Sequence, residues 1–228
     1  MAGPGAGRGP LDGRFAPQAL PGAVGLVALG ASLLALAWGP VAWGWLAPLG
    51  WLALALAGPH LLFFRNPERE LPVGEQLLLS PADGKVVEIA RVEDPFVGQA
   101  WRVAIFLSVF DVHINRAPCT GKIRKLARSG SRYLAAFNGD ASALNVQLRA
   151  DLECASGLRT SVVQITGLIA RRIVCYAQEG DVVERGAPYG LICYGSRVEL
   201  YFPSNAEVRV TEGERVRGGE TVMAEVKP

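Results

Sequence analysis

The chain of 228 residues carries a formal net charge of +2, is 50% hydrophobic and has a mean hydropathy of +0.24. That length holds one sizeable domain plus an appendage, and so small a charge, with no basic stripe interleaved with aromatics, argues against a nucleic-acid surface. Two histidines, no paired-histidine metal motif and no Walker-type phosphate loop leave few ready-made catalytic groups, and no metal site is expected.

Residues 1–18, rich in Gly, Pro and Ala, read as a disordered tail. Between Arg14 and Arg65 there is no Asp, Glu, Lys or Arg. Such a run exceeds one bilayer crossing of ~20 apolar residues and a signal-peptide core of about 7–15. Gly39-Pro40 interrupts it, because proline cannot continue a helix without losing a backbone hydrogen bond. Residues 19–64 are therefore expected to form a membrane-anchoring hairpin, with helices over Leu20–Trp38 and Val41–Phe63 joined by a tight turn. Trp38, Trp43, Trp45 and Trp51 fall near the turn-side interface, where indole rings settle. Arg8 and Arg14 before the hairpin, with Arg65 and Arg69 after it, place both ends in the cytoplasm at the cell membrane. A single re-entrant or interfacial segment is the alternative.

Residues 65–228 change texture. Short β-prone runs bounded by Gly, Pro and Asp recur at Lys85–Ala90, Arg102–Val109, Ser161–Gln164, Arg172–Ala177, Arg197–Phe202 and Glu207–Val210, which predicts a mostly β domain with minor helix. Glu179-Gly-Asp-Val-Val-Glu-Arg-Gly186 is echoed by Glu212-Gly-Glu-Arg-Val-Arg-Gly-Gly219, and more loosely by Ala82–Val86. This punctuation resembles the hairpins of lipoyl-carrier and hammerhead-type β domains, where glycines turn the chain and valine fills the core. No exposed hairpin-tip lysine lies between Gly186 and Gly213, so a carrier function is not expected. Cys119, Cys154, Cys175 and Cys193 are scattered without a Cys-x-x-Cys spacing, which favours reduced thiols over a disulfide or zinc site.

Three stretches combine a reactive residue with an unusual setting. Asp83 lies in Ser80-Pro-Ala-Asp-Gly-Lys85, although Asp-Gly alone reads as an ordinary hairpin turn. His113 lies in a mainly apolar run with Asp111, Asn115 and Arg116 close by, where a lone histidine is more often a bonded core residue. Gly195-Ser196 sits among strand-like residues and reads either as a turn or as a self-cleavage point. Asp, His and Ser are what an activated hydroxyl needs. Gly195-Ser196 lacks the Gly-x-Ser-x-Gly elbow of a serine hydrolase.

Phe63-Phe-Arg-Asn-Pro67, Ser80–Lys85, Asp111-Val-His-Ile-Asn-Arg-Ala-Pro118, Val163-Gln-Ile-Thr-Gly-Leu-Ile-Ala-Arg-Arg-Ile173 and Tyr194-Gly-Ser-Arg-Val198 occur in that order. Together they resemble the short bacterial and archaeal type of phosphatidylserine decarboxylase proenzyme. The resemblance implies that the Ser196 hydroxyl attacks the Gly195 carbonyl, and that elimination leaves a pyruvoyl group on Ser196. The products would be a β chain, residues 1–195, and an α chain, residues 196–228. Asp83 and His113 occupy the motifs that drive cleavage in the family. The pyruvoyl cofactor would then form a Schiff base with the substrate amine and act as the electron sink for decarboxylation, with His113 as the proton donor. Arg171 and Arg172 are candidates for the lipid phosphate or the anionic membrane surface.

The sequence departs from the family's pattern in three places. Arg116 stands where the longer members carry a second histidine, Tyr194-Gly-Ser-Arg197 stands where they carry Leu-Gly-Ser-Thr, and an Asn-Glu-Arg stretch frequent in the family is reduced to Asn145-Val-Gln147. The implied partners are phosphatidylserine, membrane lipid and the sister chain of the same precursor; a homo-oligomer is compatible with the sequence. The rivals are a decarboxylase of another serine-bearing lipid, such as archaetidylserine, and a non-enzymatic membrane-tethered β domain.

Overall fold

The computed structural model describes residues 11, 13–39, 43–134, 141–168, 172–193 and 196–226. The chain divides into two compact units, Met1–Pro67 and Glu68–Pro228.

In the first unit, α1 (Ala19–Trp38) packs against α2 (Ala47–Phe63), which follows one 3-10 turn at Gly44–Leu46. The expected turn at Gly39-Pro40 runs into residues 40–42, outside the described set. Small residues let the two backbones approach: a Cβ on Gly30 would meet the Gly50 carbonyl oxygen at 2.9 Å and Leu54 Cγ at 2.7 Å. Trp38 stands edge-on to Trp51 with ring centroids 6.4 Å apart. Both spans are long and apolar enough to cross a bilayer, and Leu20, Val24 and Trp45 are exposed. Part of the segment read as a tail is fastened rather than loose. Phe15 bridges Arg65, the Ala16 amide donates to the Phe64 carbonyl at 2.8 Å, and Asn66 Nδ2 donates to the carbonyls of Leu11 and Gly13.

The second unit is built from strands β1 (Leu77–Leu79), β2 (Gly84–Asp94), β3 (Gly98–Leu107), β4 (Ile114–Arg116), β5 (Gly121–Ser129), β6 (Gln147–Cys154), β7 (Arg159–Ile165), β8 (Arg172–Cys175), β9 (Val182–Val183), β10 (Pro188–Cys193), β11 (Ser196–Pro203), β12 (Glu207–Val208), β13 (Arg215–Val216) and β14 (Val222–Glu225), with one short helix, α3 (Ala141–Leu144). Among the described residues they form an eight-stranded curled sheet, in the order β13-β2-β3-β11-β7-β6-β5-β9, and two three-stranded sheets, β4-β10-β8 and β1-β14-β12. The mostly β architecture is as the sequence leads one to expect. All six expected runs are strands with shifted ends, whereas β5 is hidden in the sequence because the adjacent Arg124 and Lys125 interrupt its alternation, at the register shift between Ile123 and Lys125.

Alternation along β11 sorts its side chains. Val198, Leu200 and Phe202 enter the core with Ile105, Val162 and Ile123. Arg197 and Glu199 on the other face are also buried, at 5% and 1% exposure. Burying charges is tolerable only when they are paired. Arg197 donates to Glu199 at 2.8 Å and to Glu88 at 2.6 Å, and Ser142 and Tyr201 donate to Glu199. A neighbouring group centres on Arg149, which reaches both oxygens of Asp94 and also Asp151.

The repeated turns are related by a pseudo-two-fold. Gly180 N–H donates to Ile123 O and Gly213 N–H to Val86 O; Gly186 N–H donates to Ala117 O and Gly219 N–H to Ser80 O, all at 2.8 Å. Leu79 N–H donates to Pro118 O while Arg116 N–H donates to Pro81 O. The partner segments are themselves alike, Ser-Pro-Ala-Asp-Gly-Lys-Val86 against Ala-Pro-Cys-Thr-Gly-Lys-Ile123. In one half Gly218 N–H donates to the Asp83 carboxylate; in the other Arg185 N–H donates to the Thr120 hydroxyl.

The expectation of four reduced thiols is corrected. Cys119 and Cys154 form a disulfide, brought together because Gly121 pairs with Cys154 in the β5–β6 ladder; Cys175 and Cys193 are free. Spacing along the chain carries no hint of this, since the two are 35 residues apart. Alkylation of the denatured, unreduced protein should block two thiols, and four only after reduction; mass spectrometry reads the count.

Asp94 titrates below its ordinary value of 3.8: burial pushes it up, but the hydrogen bonds from Arg149 and from the Val97 and Phe96 amides outweigh that. A carboxylate with a lowered folded pKa adds stability that is present above its ordinary value and lost as pH falls through the lowered one. The Tm should therefore decline below about pH 4. Arg149→Met should lower the Tm at pH 7 and flatten that acid decline in circular dichroism melts.

Candidate active site

β3 lies between β2 and β11 in the large sheet. Lys85 pairs with Phe106 on one side of β3 and Ser196 pairs with Leu107 on the other. The start of β2, the end of β3 and the start of β11 thus share one sheet edge. Asp83 and Ser196 flank that edge with backbones roughly 10 Å apart, two strand spacings. Gly84 makes the approach feasible, since a Cβ there would meet the Phe106 carbonyl oxygen at 2.3 Å and its φ is +154°.

The loop leaving β3 delivers His113 to the same edge. The Ile192 amide donates to the His113 carbonyl at 3.3 Å, so His113 lies beside the end of β10, just upstream of Ser196. Tyr194 and Gly195 are outside the described residues. His113 is 1% exposed, and its Nδ1 is 2.9 Å from the Asp111 carbonyl oxygen. A carbonyl only accepts, so Nδ1 carries the hydrogen and Nε2 is the basic nitrogen of the neutral ring. The Asp111 carboxylate serves the loop instead, accepting from the Ser108 amide at 2.8 Å, the Ser108 hydroxyl at 2.7 Å and Arg215.

Ser196 is the first residue of β11, fully buried, and its Oγ has no hydrogen-bond partner among the described residues. Asp83 is held differently: Arg69 donates to its two oxygens at 2.9 and 2.8 Å, and the Gly218 amide donates at 2.8 Å. Arg116 is buried against the same cluster. Burial and the neighbouring Arg69 lower its pKa to about 10 against the pull of Asp83 and Glu220, so it remains a cation at neutral pH. The structure therefore groups His113 with the loop and strand ends around Ser196, and Asp83 with two arginines.

Arg172 is exposed and pairs with Cys193, which brings it to the rim of the same edge; Arg171 lies outside the described residues. Burial pushes the Cys193 thiol up, with Arg172 opposing, which suits a core residue rather than a nucleophile. Asn145 is a backbone latch, taking the Leu134 amide on Oδ1 and donating to the carbonyls of Leu134 and Thr166.

The model of the phosphatidylserine decarboxylase family matches residues 60–224. The chain belongs to that family. It is 45% identical over 207 residues to a protein of Gluconacetobacter diazotrophicus, covering 87% of this chain and 90% of that one. Similarity to a protein of Oleidesulfovibrio alaskensis is 41% over 212 residues, covering 92% and 94%, and to one of Geobacter sulfurreducens 43% over 184 residues, covering 78% and 84%. Each carries the name phosphatidylserine decarboxylase proenzyme.

Within this decarboxylase family member, the sequence motifs point to Asp83, His113 and Ser196 but not to Arg69, Arg215 and Gly218, which hold the site's loops in place. Arg69 follows the hairpin and reads as a topology signal; its pairing with Asp83 is visible only in three dimensions. Arg69→Met should destabilise the domain by about 2 kcal/mol, the scale of a charged hydrogen bond lost with its partner left buried. Asp83→Asn should cost less, because the Gly218 amide keeps an acceptor; thermal melts rank the two.

Proposed function

We propose that this chain is a membrane-anchored, self-processing decarboxylase that converts phosphatidylserine to phosphatidylethanolamine and CO2. The observation that carries the reading is the enclosed Ser196 hydroxyl, without a hydrogen-bond partner among the described residues, at the head of a central strand and directly after the glycine of the family's Gly-Ser motif. A buried hydroxyl without a partner is costly, and a nucleophile that is to attack the preceding carbonyl gives a reason for bearing that cost.

In this reading the Ser196 hydroxyl attacks the Gly195 carbonyl. The acyl group passes from nitrogen to oxygen, and elimination separates residues 1–195 from residues 196–228. Ser196 would become a pyruvoyl group, and its surroundings fit: the position is dry, at a strand start, and within reach of a loop carrying a basic imidazole nitrogen. When formed, such a group supplies a carbonyl that takes up the substrate amine and draws electrons from the bond to the departing carboxylate. His113 then holds the proton for the carbon that loses CO2, on Nε2, the nitrogen not engaged by the Asp111 carbonyl. Asp83, held by Arg69 and the Gly218 amide, supports the loop that faces Ser196. Arg172, with Arg171, meets the lipid phosphate at the rim.

The two apolar helices anchor the enzyme where its substrate resides, and the arginines flanking them favour a β domain on the cytoplasmic side. On a denaturing gel the purified protein should resolve into two chains, the smaller without a free amine. Ser196→Ala should give one uncut chain that releases no CO2 from labelled phosphatidylserine. An uncut but active wild-type protein would overturn the reading. His113→Ala should lower decarboxylation at least 100-fold, roughly the scale of a lost general acid; loss of the cut as well would give it both duties.

A further inference from the structure

Gln164 presents a second partnerless buried atom beside the first. Its Oε1, like Ser196 Oγ, has no hydrogen-bond partner among the described residues, and the residue is 1% exposed. Gln164 on β7 pairs with Val198 on β11. Val198 points into the core, and Ser196, two residues away, shares that face. Gln164 is thus a diagonal neighbour of Ser196 across two adjacent strands, a spacing of about 7–8 Å that a long side chain spans.

The amide is also oriented. Asn115 Nδ2 makes a long 3.5 Å contact to the Pro81 carbonyl oxygen, and Gln164 Nε2 donates to Asn115 Oδ1 at 2.7 Å. The Pro81 carbonyl can only accept, so it sets the direction of both amides and leaves the Gln164 oxygen as the outward end of the relay. Gly190 leaves the room, since a Cβ there would lie 3.4 Å from Gln164 Nε2 and 2.5 Å from the Val174 carbonyl oxygen. Pro81, Asn115 and Gln164 come from three separate sequence stretches, those of Asp83, of His113 and of Val163–Ile173, and the relay ties the three together at the serine.

We propose that Gln164 is a positioning residue for self-cleavage. Its carbonyl oxygen, fixed by Asn115 and Pro81, accepts the hydrogen bond of the Ser196 hydroxyl and turns an Oγ lone pair toward the peptide bond to be cut. This rests on the reading of Ser196 as the nucleophile. In the step, the Oγ–C bond forms, the C–N bond breaks, and the hydroxyl proton ends on the released amine nitrogen. Gln164 exchanges no proton. A neutral amide fits this role because it orients the hydroxyl without adding a charge to a buried site, where an unpaired charge is expensive.

The test uses the full-length chain made by cell-free translation into liposomes, with the Ser196–Pro228 fragment followed over time on denaturing gels. Gln164→Met, close in volume but without the acceptor, should cut at least tenfold more slowly, and Asn115→Leu should slow the cut in the same sense. Gln164→Glu should cut with a rate that rises as pH increases through the titration of the new carboxyl, because the ionised form is the better acceptor; the wild type lacks that step. Wild-type rates in Gln164→Met, or a wild-type pH profile in Gln164→Glu, overturn the proposal. Melts in a Ser196→Ala background report whether Gln164→Met folds, and if it does not, the Gln164→Glu profile decides alone. Ser196→Ala that still cuts would instead overturn the nucleophile reading. An uncut Ser196→Ala beside a fast Gln164→Met removes only the role of Gln164.

Discussion

Strand β11 is hydrogen-bonded along both edges, to β3 on one side and β7 on the other, and it begins at Ser196. Everything else about the site follows from that placement. A strand paired on both sides has its register fixed, because a one-residue slip would turn Val198, Leu200 and Phe202 out of the core and Arg197 and Glu199 into it. The Ser196 backbone is therefore positioned by the whole sheet, and its hydroxyl remains without a partner among the described residues. Ser196 needs no sharp turn of its own to fix its place; the strand end does that.

Around that fixed point the fold spends charge on geometry. Asp83 and Asp111 each hold a loop in place through arginine and backbone partners, and in both cases one partner lies downstream of Ser196: the Gly218 amide for Asp83, the Arg215 guanidinium for Asp111. The segment that follows Ser196 thus braces the loops that precede it. Arg116 belongs to the Asp83 cluster and stays cationic, and His113 is the imidazole that this edge receives.

Composition and turn residues make the architecture legible. The charge-free run announces the helical pair, and Gly, Pro and Asp mark the ends of β2, β3 and β11. The motif residues are legible too, but their convergence is not, because it depends on β3 lying between β2 and β11, and nothing local in the sequence encodes strand order. The Cys119–Cys154 pair is hidden for the same reason, being a product of the β5–β6 register. Arg197 and Glu199 mislead in the opposite sense. Alternation marks them as a solvent face, yet Glu88, Ser142 and Tyr201 close over them.

The pseudo-two-fold in the β domain has a consequence for how such a site can arise. Duplicating a half-fold creates two equivalent loop ends, each capped by an amide from its own glycine-bounded turn, at Asp83 in one copy and Thr120 in the other. Only one of them adjoins the strand that opens with a serine. The other carries a cross-link between Cys119 and Cys154 where its counterpart carries an ion pair between Arg69 and Asp83. The molecule is in this sense an asymmetric dimer written on one chain, its two halves alike in backbone turns and unlike in the bonds that close them.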